Sequence, residues 1–329
     1  MPTPIENGQS GRGEEWLYSP ASRLDMRSAL KLGIAQLRAR NVPSDRLAAE
    51  LLLFHATNRS RTWLYSHPED LLSDSESRSY FALVEKRAAG TPTQHLTGKQ
   101  EFWGLELEVT PEVLIPRPET EHIIEVALDR LALRDLRFKL PPNMTGEGLL
   151  FADIGTGSGA IAVALAKEFP AATIYAVDIS RAALAVADRN VRRLGFSGQI
   201  HLLESNLLAG LSSLSSGPPG DRGHWPLLFD LIASNPPYIG RREAAALPRE
   251  VREHEPELAL YGGEEGYELY ADIVAQSAER LKPGGILFLE LGHDSLPAAR
   301  PLFDSADWIN IGVTSDLAGI PRVLAAERT

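Results

Sequence analysis

The chain has 329 residues, of which 33 are Lys or Arg and 44 are Asp or Glu, so its formal net charge at pH 7 is −11. This acidity argues against direct nucleic-acid binding, because proteins that grip phosphate are usually basic, at least locally. There is no Cys, which excludes disulfides, Cys-ligated zinc and thiol nucleophiles. The length allows two domains with at least one full hydrophobic core.

The sequence carries no sign of a membrane segment. The first 15 residues are polar and lack the apolar core of a signal peptide. No apolar run approaches the roughly 20 residues that are needed to span a membrane. We therefore expect a cytoplasmic protein.

The first quarter of the chain predicts a polar tail followed by a small helical domain. Residues 1–22 are rich in Gly, Ser, Pro and charge, which is typical of a flexible tail. Apolar residues at helical spacing predict three helices, at residues 24–40, 45–55 and 75–89. Ser44 is the expected N-cap of the second helix, and we expect Leu47, Leu51 and Phe54 to form its core face.

A loop and a short hairpin are predicted next. Gly and Pro punctuate residues 90–98, and apolar residues alternate with acids in residues 101–109, as in a half-buried strand. Residues 113–121 contain a stiff Pro-Arg-Pro and lead into a helix that is predicted to end at Leu131. Residues 134–148 read as a linker.

A βαβ unit with a Gly-rich turn is predicted at residues 149–177. The turn is Asp153-Ile154-Gly155-Thr156-Gly157-Ser158-Gly159, and the second strand ends in Asp178. Such a turn lets a ligand approach the backbone closely, and an acid about 20 residues later can accept hydrogen bonds from ribose hydroxyls. The turn fits both the NAD pattern, through Gly155, Gly157 and Ala160, and the S-adenosylmethionine loop of class I methyltransferases, so it leaves the ligand open.

A helix is predicted at residues 180–194 and a third strand at residues 199–203, followed at the same sheet edge by Asn206 and Leu207. Residues 212–226 are rich in Ser, Gly and Pro and predict a loop.

The most specific motif follows a predicted buried strand at residues 229–234. Asn235-Pro236-Pro237-Tyr238 ends that strand, because Pro cannot donate to a sheet ladder and the residue before it is pushed into an extended conformation. The Asn235 side-chain oxygen and the Pro236 carbonyl are two acceptors for the hydrogens of a substrate NH2 group. The Tyr238 ring can stack on a planar amide or base. The motif therefore indicates alkylation of a planar, weakly nucleophilic nitrogen.

The sequence after residue 240 predicts a lid and the last helices and strands of the sheet domain. Residues 241–261 are charged and aperiodic, which favours a solvated lid over a metal site at Glu253, His254 and Glu255, because metal ligands need convergent geometry. The remaining predicted elements are a helix at 264–281, a strand at 286–291, a helix at 294–303, and strands at 308–313 and 322–326. The last two strands are expected to pair antiparallel at one edge of the sheet.

Several segments together resemble the release-factor glutamine N5-methyltransferases, the PrmC/HemK family, over about residues 25–328. The segments occur in the family's order. They are Gly90-Thr-Pro-Thr-Gln-His-Leu, Glu101-Phe-Trp, Val113-Leu-Ile-Pro-Arg-Pro-Glu-Thr-Glu121, Asp153-Ile-Gly-Thr-Gly-Ser-Gly159, Asn235-Pro-Pro-Tyr238, Glu255-Pro-Glu-Leu-Ala-Leu, Gly262-Gly-Glu-Glu-Gly266 and Asp316-Leu-Ala-Gly-Ile-Pro-Arg322.

The resemblance implies an α/β protein with the class I S-adenosylmethionine-dependent methyltransferase fold, which is Rossmann-like with a seven-stranded sheet. It implies a helical substrate-recognition domain at 23–98, a β-hairpin linker at 99–118 and a methyltransferase domain at 119–329. It implies methylation of the side-chain amide nitrogen of the glutamine in the Gly-Gly-Gln motif of peptide chain release factors, a step linked to translation termination. No metal and no covalent intermediate is required.

The resemblance also implies the roles of individual residues. The residues that would bind S-adenosylmethionine are Gly155, Thr156, Gly157, Ser158, Gly159, Asp178, Asn206, Leu207 and Asn235. The residues that would hold the substrate glutamine are Asn235, Pro236, Pro237 and Tyr238, of which Asn235, Pro236 and Tyr238 would be catalytic. The chain departs from the family at His95, where many members have Tyr, and at Asn206, where members often have an Asp that can meet the adenine amine.

Four other activities fit part of the sequence. A methyltransferase for a ribosomal-protein glutamine would share these motifs. An adenine-N6 DNA methyltransferase uses a similar Asn-Pro-Pro-Tyr site but must flip its base, and the chain has neither a basic surface nor a recognisable DNA-reading domain. A dehydrogenase would use the Gly-rich turn and Asp178 but would not use Asn235-Pro236-Pro237-Tyr238. A non-enzymatic release-factor binder would function without Asn235.

Overall fold

The computed structural model describes residues 24–137, 145–213 and 226–329. The chain forms two compact units, Met1–Ala89 and Gly90–Thr329. The tail predicted at residues 1–22 lies outside the described residues, as do residues 138–144 of the predicted linker and most of the predicted loop at residues 212–226.

The first unit is helical. Its described helices are α1 Met26–Ala39, α2 Asp45–Thr57, α3 Arg61–Ser66 and α4 Asp74–Ala88. The start of α4 is a capping box, in which the Ser73 side chain accepts from the Glu76 backbone N–H and the Glu76 side chain accepts from that of Ser73. The short helix α3 was not predicted, because six residues are too few to show a helical period.

Two predictions for α2 were wrong. Ser44 adopts a left-handed conformation with φ of 52° and makes no side-chain cap bond. Leu47 and Leu51 are exposed, whereas Leu52 and Leu53 are fully buried. The run of apolar residues at 51–54 places apolar side chains all around the helix, so its period does not define a face, and packing against α1 and α4 selects the buried one.

The second unit begins with α5 Thr93–Thr97 and the predicted hairpin, formed by β1 Lys99–Phe102 and β2 Leu105–Glu108. A 3₁₀ helix at Pro118–Thr120 then leads into α6 Glu121–Arg137. This helix runs beyond Leu131, its predicted end, because no Gly or Pro interrupts the sequence there.

A seven-stranded sheet forms the centre of this unit, as predicted. The strands are β3 Leu150–Ile154, β4 Thr173–Asp178, β5 Ile200–Glu204, β6 Phe229–Ser234, β9 Leu281–Glu290, β10 Trp308–Ser315 and β11 Pro321–Arg328, in the spatial order β10-β11-β9-β6-β3-β4-β5. A separate two-stranded pair is formed by β7 Ile239–Gly240 and β8 Tyr261–Gly263. Strand β11 is antiparallel to both neighbours, which confirms the predicted antiparallel pair at one edge.

Helices cover both faces of the sheet. Helix α6 is one of them, and the further helices of this unit are α7 Ala160–Glu168, α8 Arg181–Leu194, α9 Arg249–His254, α10 Glu257–Leu260, α11 Glu268–Arg280 and α12 Leu296–Ala299. Alternate residues of each strand enter opposite apolar layers, so Phe151 packs with α6 and α7 whereas Ala152 packs with α11. Every residue of β6 is buried, as expected for a strand with neighbours on both sides and helices on both faces. No helix in the described part of the chain is both long and apolar enough to cross a membrane.

Candidate active site

A cleft of about 230 Å³ lies at the carboxyl ends of the parallel strands. Ile154, the last residue of β3, pairs in register with Ser234, the last residue of β6. The Gly-rich turn and Asn235 therefore leave the sheet side by side. This edge of an open α/β sheet is where ligands bind.

The Gly-rich turn borders the cleft with bare backbone. Gly155, Gly157 and Gly159 have φ of 72°, 55° and 86°, in the left-handed region that side chains disfavour. A Cβ on Gly155 would meet no atom within 4 Å, so it would extend into open space. The turn therefore leaves room for a ligand against its backbone, which fits a bound cofactor.

Asp153 supports this turn from below and is fully buried. Its Oδ2 accepts from the Thr156 hydroxyl at 2.6 Å and from the Ala162 N–H at 3.2 Å. Burial raises the pKa of Asp153 to about 7, although these two hydrogen bonds lower it. Thr156 and Ser158 line the cleft, and Thr156 uses its hydroxyl hydrogen to hold the turn on Asp153.

Asp178 joins the Gly-rich turn to the next helix. Its Oδ2 accepts from the Gly157 N–H at 2.9 Å, and its Oδ1 accepts from the Ser180 N–H at 2.8 Å. Burial raises the pKa of Asp178, and these backbone bonds oppose the rise. A carboxylate has about four acceptor positions, so Asp178 can accept from the hydroxyls of a ribose in addition to these backbone bonds.

Asn206 and Leu207 border the same cleft beyond β5. Leu207 has φ of 50°, and its carbonyl accepts from the Ser205 hydroxyl at 2.6 Å. Asn206 is exposed. The structure thus brings every residue predicted to bind the cofactor, except Gly159, to the lining of one cleft, and Gly159 begins the helix directly behind it.

The amide of Asn235 has a defined orientation. Its Nδ2 donates to the hydroxyl of Thr120 at 3.0 Å. Thr120 is buried and lies in the 3₁₀ helix at Pro118–Thr120. With the nitrogen held in this way, the side-chain oxygen of Asn235 is the acceptor end of the amide, and no donor from the described part of the chain occupies it; Pro236 and Pro237 line the cleft beside it.

Two glycines lie close against the backbone of this motif. A Cβ on Gly262 would lie 2.3 Å from the Pro237 carbonyl oxygen, and a Cβ on Gly266 would lie 2.5 Å from that of Tyr238. Only glycine allows backbones to approach so closely. The segment after Tyr238 also pairs with β8 through Ile239. The segment of residues 261–266 therefore holds the Asn235-Pro236-Pro237-Tyr238 backbone, while Thr120 holds the Asn235 side chain.

Tyr238 is not among the residues that line the cleft. Its hydroxyl donates to Oε1 of Glu290 at 3.3 Å, and a Cβ on Gly292 would lie 2.7 Å from its ring. Burial, and secondly the nearby Glu290 carboxyl, raise the pKa of Tyr238 well above its usual range. The ring is packed into the protein next to the cleft, where it anchors the end of the Asn235-Pro236-Pro237-Tyr238 motif.

The predicted lid contains a buried anchor. Glu255 is buried, with 1% of its side chain exposed, and pairs with Arg117 at 2.5 Å. Its other oxygen accepts from the Ile115 N–H at 3.2 Å. The prediction of a wholly solvated segment was therefore wrong at this residue, because an ion pair with a distant segment compensates its burial. Within the described ranges, no three potential metal ligands converge at Glu255 or elsewhere.

Sequence reasoning missed three residues that hold the motif. Thr120 and Glu290 are buried and Gly292 packs against Tyr238, yet each lies more than 50 residues from Asn235 or Tyr238 along the chain. One signal was available for Glu290. It is an acid at the end of an otherwise apolar strand, and buried acids are rare unless they are paired.

Two family models match the chain. The PrmC N-terminal domain matches residues 28–98, and the methyltransferase small domain matches residues 139–251. The catalytic domain of hMettl16, solved with MAT2A 3′UTR hairpin 1, has a similar fold with a TM-score of 0.51, covering 84% of this chain and 90% of that one. At 15% identity, this likeness concerns the fold alone.

Relatives that are named as release factor glutamine methyltransferases match nearly the whole chain. A release factor glutamine methyltransferase of Koribacter versatilis is 39% identical over 305 residues, which cover 93% of this chain and 99% of the relative. One of Moorella thermoacetica is 39% identical over 306 residues, with the same two coverages. The chain therefore belongs to the release factor glutamine methyltransferase family.

Proposed function

We propose that this protein transfers the methyl group of S-adenosylmethionine to the side-chain amide nitrogen of the glutamine in the Gly-Gly-Gln motif of peptide chain release factors. The observation that carries this proposal is the orientation of Asn235. Its nitrogen is engaged by Thr120, so its oxygen is left to accept a hydrogen from a substrate amide. Release factors act in the cytoplasm, so we place the reaction there.

The cofactor occupies the cleft at the Gly-rich turn. Bare backbone at Gly155 and Gly157 would lie against the methionine part, Asp178 would accept from the ribose hydroxyls, and Asn206 and Leu207 would border the adenine. When bound, S-adenosylmethionine supplies an electrophilic methyl group on a sulfonium. The chain's own residues bring the nucleophile to it in line, and much of the rate comes from that placement.

The substrate amide is held by two acceptors. The Asn235 side-chain oxygen and the Pro236 carbonyl each accept one hydrogen of the glutamine NH2 group, which turns the nitrogen lone pair toward the methyl group. Because these acceptors also polarise the N–H bonds, they strengthen a poor nucleophile. Pro237 borders the substrate, and Tyr238 supports Asn235 and Pro236 from behind. The products are an N5-methylglutamine, S-adenosylhomocysteine and one proton.

The helical unit contributes to recognition of the protein substrate. Its exposed apolar side chains include Leu47, Trp63 and Tyr65. Such side chains are enriched where proteins bind partners. We expect Trp63→Ala to raise KM for a whole release factor while leaving KM unchanged for a short peptide that contains Gly-Gly-Gln.

The test uses labelled S-adenosylmethionine and an unmethylated release factor, with peptide mass spectrometry to locate the label. A second release factor has its Gly-Gly-Gln glutamine replaced. Label on that glutamine, and none on the variant, supports the proposal. Label only on a ribosomal protein in a parallel reaction would instead favour the ribosomal-protein activity.

A further inference from the structure

Glu290 is a buried carboxyl next to the methyl-transfer site, with 1% of the residue exposed. It is the last residue of β9, which runs parallel to β6, and Leu289 pairs with Ser234. Glu290 and Asn235 therefore follow paired residues at the same edge of the sheet. No step described above uses this acid, although burying a carboxyl is costly unless it is paired.

Two hydroxyls face this carboxyl. Tyr238 donates to Oε1 at 3.3 Å. The Thr120 hydroxyl also faces the carboxyl and lowers its pKa. Among the residues that the structure describes, Oε2 of Glu290 has no hydrogen-bond partner, so it can accept a further hydrogen bond. Thr120 in turn accepts from Nδ2 of Asn235 at 3.0 Å.

The charge of Glu290 determines the direction of these hydrogen bonds. A carboxylate only accepts hydrogen bonds, so an ionised Glu290 with an unpartnered Oε2 attracts the single hydrogen of the Thr120 hydroxyl. The Thr120 oxygen then offers only lone pairs to Asn235. The amide nitrogen satisfies those lone pairs, whereas the amide oxygen would be repelled. The reversed amide, with its oxygen turned inward, is therefore disfavoured.

We propose that Glu290 is a positioning residue for the methyl transfer, which acts through Thr120 to keep the side-chain oxygen of Asn235 turned toward the substrate. This inference rests on the proposed function and adds to it a positioning residue that lies outside the cleft. If Glu290 carried a proton, it could donate to Thr120. The Thr120 hydrogen would then be free to face Asn235 and to stabilise the reversed amide.

The environment of Glu290 makes this control sensitive to pH. Burial raises the pKa of Glu290 to about 7, while Thr120, Tyr238 and then Arg322 lower it, and Glu119 raises it. Tyr270 of α11 also faces it and remains protonated in this range. The carboxylate fraction, and with it the turnover number, should therefore rise as the pH increases through about 7.

The test compares Glu290→Gln with wild type for methylation of a release factor between pH 6 and 8.5. Glutamine keeps the size of the side chain but can donate. We expect kcat to fall about 10-fold at pH 8.5, the scale of one misdirected hydrogen bond. The difference from wild type should nearly vanish at pH 6. The Kd for S-adenosylmethionine should change less than about twofold, because Glu290 does not line the cleft.

A double-mutant cycle separates positioning from a general structural effect. If Glu290 acts only through Asn235, Glu290→Gln should have no further effect in an Asn235→Ala background. The matched control is Asp230→Asn, which alters a buried acid paired with Lys282 at 2.6 Å near the amino end of β6. It should reduce thermal stability and leave the pH profile of kcat unchanged.

Three results would overturn the proposal: a rate loss that is independent of pH, an equal loss in the Asn235→Ala background, or a matching loss of cofactor affinity. If Glu290→Gln does not fold, Thr120→Val decides the question, with Thr120→Ser expected to recover the rate; a wild-type rate for Thr120→Val would overturn it. Failure of the proposed function looks different, because wild type itself would then leave the glutamine unmethylated.

Discussion

Replacing Gly262 with alanine tests whether the backbone of the Asn235-Pro236-Pro237-Tyr238 motif must be held in place. A Cβ there would lie 2.3 Å from the carbonyl oxygens of both Pro237 and Gly266. Ordinary Cβ contacts begin at 3.4 Å, so the Pro237 carbonyl would have to move by about 1.1 Å. Both obstacles are backbone atoms, which cannot rotate away as a side chain can.

The expected effect has two parts. Overpacking of this kind destabilises a protein by about 1–3 kcal/mol, which lowers Tm by several degrees. A displacement of about 1 Å at the reacting groups costs roughly 10²-fold in rate. Because Gly262 does not line the cleft, the Kd for S-adenosylmethionine should stay within about threefold of wild type.

The assay is single-turnover methylation of a release factor with saturating cofactor, together with calorimetric titration of S-adenosylmethionine. Gly198→Ala is the matched control, because a Cβ at Gly198 meets nothing within 4 Å and its φ lies outside the left-handed region, as does that of Gly262. A folded Gly262→Ala protein with the wild-type rate would refute the reasoning that this close backbone approach positions the substrate acceptors.

Three further predictions follow from contacts at the site. Asn235→Ala should lower kcat by about 10²-fold, because it removes one of two preorganised partners, with little loss of cofactor affinity; equal losses in single-turnover rate and calorimetric Kd would contradict this. Glu255→Ala should speed hydrogen exchange at the Ile115 amide, its partner at 3.2 Å, and lower kcat by loosening the segment that carries Thr120; unchanged exchange would count against that role. Burial raises the pKa of Asp153 from 3.8 to about 7 in the folded state, so the folded protein binds a proton there more tightly than the unfolded chain does. The stability that this protonation contributes is fully present below about pH 4 and is lost as the pH rises through 7. Asp153→Asn should therefore reduce the fall in urea stability between pH 5 and pH 7.5, and an identical fall in both proteins would show that Asp153 is not its source.

Much of the fold and of the candidate site could be predicted from short stretches of the sequence. The Gly-rich turn, Asp178 and the Asn235 motif were recognisable because glycine and proline restrict the backbone at their own positions, independently of distant residues. Strand β6 was recognisable because its middle residues, Leu231, Ile232 and Ala233, form an apolar run, as in a strand that is covered on both faces. Since parallel strands end at one edge, the sequence was also enough to predict that these motifs meet there.

The tertiary structure alone decided how the motif is held. Thr120 reaches Asn235 across 115 residues and Glu255 reaches Arg117 across 138. Such pairs depend on sheet order and register, which leave no period in the sequence. The buried face of α2 was decided in the same way, because an apolar run fits either side until neighbouring helices pack. The sequence thus determined the reactive groups, and long-range packing determined the orientation of the Asn235 amide.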